Sequence, residues 1–571
     1  MWLCSCAAPE EHAGGTVLPG GKRAGGEYRL NMLRGNPNAL DPVRINSKLA
    51  DDVALQIYDR LITLDSALNV MPELARSWDI SEDGLLYTFR LRTDVQFQDN
   101  ACFADGKGRR MTAEDVRYSL TRCCDPQTKS VQFWAFRGKV AGAIEYYEAR
   151  AKGTAQPVSV SGLRAPDDST FVIELNAPYA PFLYYLINSL GCVVPHEAVE
   201  HYGEDFFRNP VGTGPFVMKH WKPDQEIRLE RNPNYWQADE HGNPLPLLDV
   251  VTMTFVPDDR VQFAEFTAGR LEENFTIPTE FYPQVVAAPA AGDNKTTRTL
   301  TPEYAQFVLQ AKPAMLSWFL DFLCTEAPFN NVNVRRAFAA AIDREKLVKH
   351  VLRGAPWGPA QHGITPPVFP GYPIDSISGF VVDAEAARAY LAAAGYPDGT
   401  GFPTVTMTIY EEPRLVQVAE AVQSMLHSTL NIQVEIRKLQ FSRMLEEADY
   451  GRLAFWGTRW YGDYPDVENY LNLFDGRLVP ADPDQPSYPN STRWQDDHFN
   501  KLMDSAVAVT DLAQRNLIYR AAEQHMIKEA PSVMLFYEMH YRLLQPWVRD
   551  NPLDPMNRII LKSVWLDNTA G

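Results

Sequence analysis

No run of eighteen or more apolar residues occurs in this chain, so the sequence offers no transmembrane helix. Basic residues are outnumbered: 54 Lys and Arg stand against 72 Asp and Glu, for a net charge of −18. Without a basic stripe, no nucleic-acid partner is expected. Cysteine is scarce, 7 in 571 residues, and no Cys-x-x-Cys pair or Cys/His ligand spacing appears. That removes the usual zinc and redox frameworks, and no metal or other cofactor is expected. Cys123 and Cys124 are adjacent and read as buried thiols, because sequence neighbours rarely bridge without strain. The 11 His are scattered, and His196, His201 and His220 stand at no ligand spacing. There is no G-x-S-x-G and no H-E-x-x-H. The segment GTVLPGGK, residues 15–22, is one residue too long for a phosphate loop, and Arg23 stands where Ser or Thr is needed. An enzyme is therefore the weaker expectation, and a binding protein the stronger.

What is present is an ordinary globular balance, 45% hydrophobic and 22% charged, in a length suited to three or four domain-sized units. One stretch stands out. Phe455 to Gly476, FWGTRWYGDYPDVENYLNLFDG, places Phe455, Trp456, Trp460, Tyr461, Tyr464, Tyr470 and Phe474 around Asp463, Asp466 and Glu468. Rings that exclude water beside a carboxylate suit a small cationic or amphipathic ligand, since attraction strengthens as the dielectric falls. The same residues also fit a buried loop with ordinary core aromatics, and Asp463-Tyr464-Pro465-Asp466 fits a turn.

Along the chain, residues 28–34 alternate as a strand. In Tyr87 to Arg92, Tyr87, Phe89 and Leu91 share one face; in Phe171 to Leu175, Phe171, Ile173 and Leu175 do. Thr112 caps a helix with Glu114 and Asp115 in its first turn. Strands are predicted around Ile227–Arg231 and Val250–Val256, and a crossover over Tyr282–Thr301. Beyond residue 301, helix and strand alternate: Val334, Phe338, Ala341 and Ile342 line a helical face, and Asp383 caps an Ala-rich helix ending at Gly395. The strand Val405–Tyr410, the helix Val416–Leu426 and the strand Val434–Arg437 follow. This alternation predicts a mainly parallel sheet with helices on it.

Several motifs recur in a fixed order: Leu40-Asp41-Pro42, Tyr58-Asp59-Arg60-Leu61, Pro72-Glu73-Leu74-Ala75-Arg76-Ser77-Trp78, then Asp83-Gly84 through the strand to Arg92, Val95-Gln96-Phe97, and Thr112 to Val116. Asn209-Pro210-Val211-Gly212-Thr213-Gly214-Pro215-Phe216, Arg231-Asn232-Pro233-Asn234-Tyr235-Trp236, Val334-Arg335-Arg336-Ala337-Phe338 to Arg344, and Glu529-Ala530-Pro531 continue the series. In this order and spacing the chain resembles the family 5 extracellular solute-binding proteins of ABC importers, the dipeptide, oligopeptide and nickel-binding group, over about residues 28–550. Gln96 and Gln98 depart from the family's usual residues, and 100–110 read as a small insertion.

The resemblance implies an α/β, two-lobed periplasmic-binding-protein-like fold (type II, large cluster C type) with an extra subdomain in the first lobe. It implies lobe I from 28–65, 210–300 and 530–571, the subdomain at 66–209 and lobe II at 301–529; residues 1–27, rich in Gly, Ala, Pro and Glu, read as a signal remnant and flexible tether. In peptide-binding members the carboxylate of W-x-x-D-[YN] receives the ligand's α-ammonium; Trp460-Tyr461-Gly462-Asp463-Tyr464 carries that motif, so Asp463 is the implied anchor. Trp456, Trp460, Tyr461 and Tyr464 are expected around the pocket, with backbone contacts near Asn38-Ala39-Leu40 and the Gly212-Thr213-Gly214-Pro215 turn opposite. A small peptide is the expected ligand, with an ABC permease and its ATPase as partners and the protein as a monomer. A metal chelate, an oligosaccharide or an opine-like solute on the same fold, and a soluble regulator or chaperone-like protein, remain as other readings. Leu3-Cys4-Ser5-Cys6 resembles the lipobox of bacterial lipoproteins, which implies Cys6 as an acylated terminus and a periplasmic or cell-surface location; the charged and apolar parts of a signal peptide are not in the sequence.

Overall fold

Among the described residues, three sheets of four or more strands carry the architecture. A computed structural model of the chain describes residues 15–32, 35–154, 159–278, 280–287 and 298–567. The first sheet orders Phe216–Lys222, Glu226–Arg231, Val250–Phe255 and Glu27–Met32, with the last pair parallel. The second is antiparallel throughout: Ala75–Ile80, Leu86–Leu91, Thr170–Glu174 and Leu163–Asp167. Its alternation works as the sequence predicts: Tyr87, Phe89, Phe171 and Ile173 are fully buried.

The third sheet corrects the parallel expectation. Val308–Phe322 lies antiparallel between Phe455–Tyr461 and Ser532–Leu544, while Val405–Tyr410 pairs in parallel with Val434–Leu439 and Phe455–Tyr461. The helix–strand alternation governs only the parallel half. The antiparallel half is closed by a strand far along the chain: Asp321 pairs with Ser532. Helices Val332–Ala341, Ala384–Ala393 and Pro413–Leu430 pack on this sheet through Val334, Phe338, Leu391, Val418 and Val422. Asp383 caps the second of these, accepting the N–H of Glu385 and Ala386.

Several core clusters underlie these sheets. One cluster joins both four-stranded sheets with Leu544 and the segment Val548 to Leu566; others join residues between Ala314 and Tyr537. Ser532–Leu544 is hydrogen-bonded into the second lobe's sheet and only its end reaches the first lobe's core. It and Val308–Phe322 are the long paired strands that carry the chain between lobes, and their register shifts between Pro313 and Ser317. No described helix is long and apolar enough to cross a membrane. Cys6 lies outside the described residues, as do 288–297 of the expected crossover, whose start forms the short helix Tyr282–Val285.

The recurring motifs are explained by packing. Asp59 accepts from Thr213 Oγ1 at 3.0 Å, Tyr235 Oη at 3.1 Å and Trp236 Nε1 at 2.9 Å, which ties three of them into one buried knot. Arg122 forks onto Asp41 at 2.8 and 2.9 Å. Arg335 donates to the carbonyls of Phe329, Glu529 and Ala530.

Candidate functional site

The strand Phe455–Tyr461 pairs along its whole length with Leu316–Phe322 on one edge. On the other edge only Phe455 and Trp456 meet a described strand, so Gly457 to Tyr461 leave that edge open. Open strand edges accept an added backbone. At the end of this strand the chain turns at Gly462, where a Cβ would stand 2.6 Å from Met315 Cε and 2.7 Å from Tyr470 Oη. Gly462 N–H and Tyr470 O–H both donate to Met315 O, at 2.8 and 2.7 Å, which pins the turn. Asp463 follows directly.

The structure separates the three acids of this stretch. Asp466 is buried and paired with Arg515 at 2.9 Å. Glu468 is buried among tyrosines, accepting from Tyr179 Oη at 2.9 Å and from the Tyr464 hydroxyl; burial pushes its carboxyl up to about 7. Asp463 alone is exposed to solvent, and no described cation pairs with it. The two nearby arginines are committed elsewhere. Arg459 donates to Tyr410 Oη at 2.6 Å amid the rings of Trp318, Tyr410 and Phe441, and Arg477 pairs with Asp475 and Asp504. Asp463 is reached by water, but the surrounding protein excludes the bulk, and this loss of solvation raises its carboxyl above the usual range against an opposing bond to Asn469. The carboxylate is therefore short of a cation.

Asn469 holds this geometry and was not singled out by the sequence. Its Oδ1 accepts both the Asp463 N–H at 3.0 Å and Trp460 Nε1 at 2.9 Å. A polar residue six positions past the aspartate, among aromatics, carried no signal of its own. Trp456, Trp460, Tyr461 and Asp463 line one cavity of about 310 Å³, with Phe319, Asp321, Phe441, Leu445, Asp449, Tyr488 and Ser491 among its other walls. Tyr461 Oη donates to Met556 O at 2.7 Å and lies 3.1 Å from His540 Nε2; loss of solvation pushes that imidazole down to about 4, which leaves it neutral.

Three expectations are corrected. Tyr464 does not flank the cavity; it is buried edge-on against Tyr185 with ring centroids 5.1 Å apart, in the subdomain interface. Leu40 offers no free backbone: its N–H donates to Phe207 O at 2.7 Å and its C=O accepts Tyr58 Oη at 3.0 Å. Asn38 is exposed, and its side-chain Nδ2 donates to Arg44 O at 2.7 Å. The Gly212–Pro215 turn is buried against the end of helix Lys48–Ile57, where a Cβ on Gly212 would stand 2.3 Å from Ile57 O. Those glycines serve close packing against Ile57.

Known proteins share this sequence pattern and this fold. The sequence model for bacterial extracellular solute-binding proteins, family 5, matches residues 69–478. The chain is 25% identical over 551 residues to the periplasmic oligopeptide-binding protein OppA of Escherichia coli, covering 94% of this chain and 93% of that one. It is 26% identical over 542 residues to the dipeptide-binding protein of the same organism, covering 93% of each. Among solved structures it resembles the periplasmic binding protein DppA from Helicobacter pylori in complex with the peptide STSA, with a TM-score of 0.74 at 23% identity, covering 95% of this chain and 99% of that one.

Proposed function

The chain belongs to the bacterial extracellular solute-binding proteins of family 5, and we propose on that ground that it captures small peptides between its lobes and delivers them to an ABC permease. The observation that carries the peptide reading is Asp463, an exposed carboxylate with no cation among the described residues, raised above its usual range by loss of bulk water, at the end of an open strand edge. An α-ammonium supplies the missing charge and three donors. The peptide backbone pairs with the open edge from Gly457 to Tyr461, which gives affinity without reading side chains. Trp460 and Tyr461 wall the first residue. The relatives named for oligopeptides and dipeptides support this choice of ligand.

The protein works as a monomer outside the cytoplasmic membrane, and Cys6 supplies a lipid anchor where a signal segment precedes it. It performs no chemistry on the ligand. Native mass spectrometry of protein purified without denaturation tests the ligand class. Bound species with the masses of short peptides are expected; a single non-peptide mass contradicts the reading. Detergent partitioning of the exported protein, lost on Cys6→Ser, tests the anchor.

A further inference from the structure

The cavity that Asp463 lines carries further charge. Phe319, Trp456 and Phe474 give apolar walls, and Asp321 and Asp449 add two more carboxylates to that of Asp463. In the antiparallel register Asp321 stands opposite Trp456 and Phe319 opposite Thr458. Alternation places these four residues on one face of the sheet and Arg459 on the other. Asp321 is only 7% exposed, and among the described residues its carboxylate accepts from the Ser532 hydroxyl alone. No described cation pairs with it, and burial holds its carboxyl up at about 7. Asp449 accepts Ser491 Oγ at 2.7 Å and is raised by burial as well, with Arg493 as an opposing charge nearby.

We infer that this cavity selects peptides whose first side chain is a long aliphatic stem ending in a cation, with Asp321 and Asp449 as the specificity-determining residues. The inference rests on the peptide reading of Asp463. Once the α-ammonium meets Asp463, the side chain on the adjacent Cα starts at a wall that Asp463 itself forms. Apolar walls take the methylenes of Lys or Arg, as such stems commonly bury, and the carboxylates meet the charged head. Arg459 is the one cation lining the cavity among the described residues, and with Asp463 occupied two carboxylates remain against it. Its guanidinium is held among the rings of Trp318, Tyr410 and Phe441, the last of which also lines the cavity. A buried carboxylate without a cation is costly, and an arriving ammonium relieves that cost.

Titration calorimetry with Lys-Ala-Ala and norleucine-Ala-Ala tests this, because the two peptides share stem and α-ammonium and differ in the terminal charge. The native protein is expected to bind the lysine peptide more tightly, by on the order of tenfold or more. Asp321→Asn should bring the ratio of the two affinities close to one, and Asp449→Asn should lower it. Equal binding of the two peptides by the native protein overturns the inference while leaving the peptide reading intact. A native preference for lysine that persists in both variants overturns the assignment to these residues. Binding of neither peptide overturns the peptide reading and the inference together.

Discussion

The side-chain amide of Asn188 donates to the backbone carbonyl of Asp463 at 3.0 Å, although 275 positions separate them in the chain. The anchor residue proposed for the ligand is thus also a contact between the subdomain and the second lobe. Tyr179 Oη reaches Glu468, and Ala180 N–H reaches Val507 O at 2.8 Å, across the same interface. The proposed ligand anchor and this contact therefore share one short loop, which would give a bound peptide a direct way to favour the closed arrangement.

Closure on ligand is the first prediction. A peptide that bridges the second lobe's strand edge and the facing subdomain should lower the radius of gyration in small-angle scattering. Asn188→Ala removes one interlobe hydrogen bond, a net loss of about 1 kcal/mol, and should weaken peptide binding several-fold. A radius that does not change at saturation contradicts the coupling.

Glu468 makes the same interface sensitive to pH. Its carboxyl is raised to about 7, first by burial, with Asp466 adding to the rise and Tyr464, Tyr179 and Lys139 opposing it. A raised folded value means the folded, closed state holds the proton more tightly than the unfolded chain does. The stabilisation is complete below the ordinary glutamate range and is lost as pH rises through about 7. The melting temperature should fall between about pH 5 and about pH 8, and Glu468→Gln should reduce that fall. Identical slopes in the two proteins would rule out Glu468 as the group responsible.

Gly462 is predicted to accept a side chain only at a cost, because Met315 and Tyr470 must shift. Its Cβ position lies 2.6 Å from Met315 Cε and 2.7 Å from Tyr470 Oη, and Tyr470 also holds Met315 O. Gly462→Ala should cost about 1–3 kcal/mol as an overpacked site and should displace Asp463. Urea unfolding followed by tryptophan fluorescence, together with peptide affinity, reads both effects. A variant equal to the native protein in both would show that the turn is looser than its packing implies.

Much of this site could be read in the sequence, and the reason is locality. Trp460, Gly462 and Asp463 are near neighbours in the chain, and the strand Val405–Tyr410 and the helix capped by Asp383 declare themselves by local pattern. What could not be read depends on partners far away. Asp321 gains its meaning from Trp456 across the register and from Ser532 beyond that. Leu40 looked free because Phe207 and Tyr58, which use up its backbone, are not sequence neighbours. The third sheet is mixed because Ser532–Leu544 joins it from the far end of the chain, which no local period encodes.

Asp59 should be a point of stability. Asp59→Ala leaves Thr213, Tyr235 and Trp236 without their common acceptor, and a single unsatisfied buried group costs about 1–3 kcal/mol. The thermal midpoint should drop measurably. An unchanged midpoint would mean that water replaces the carboxylate without loss.

The most direct measurement is calorimetric titration of a free tripeptide and its N-acetylated form into the native protein and into Asp463→Asn. Once the bound peptide covers Asp463 and shuts out water, breaking the pair by removing one partner costs about 3–5 kcal/mol, so the variant should bind the free peptide on the order of a hundredfold or more weakly. The acetylated peptide should bind the native protein with a comparable loss, because it brings no charge for Asp463 to meet. Equal affinity of the native protein for the free and acetylated peptides would contradict the role of Asp463 as ammonium anchor.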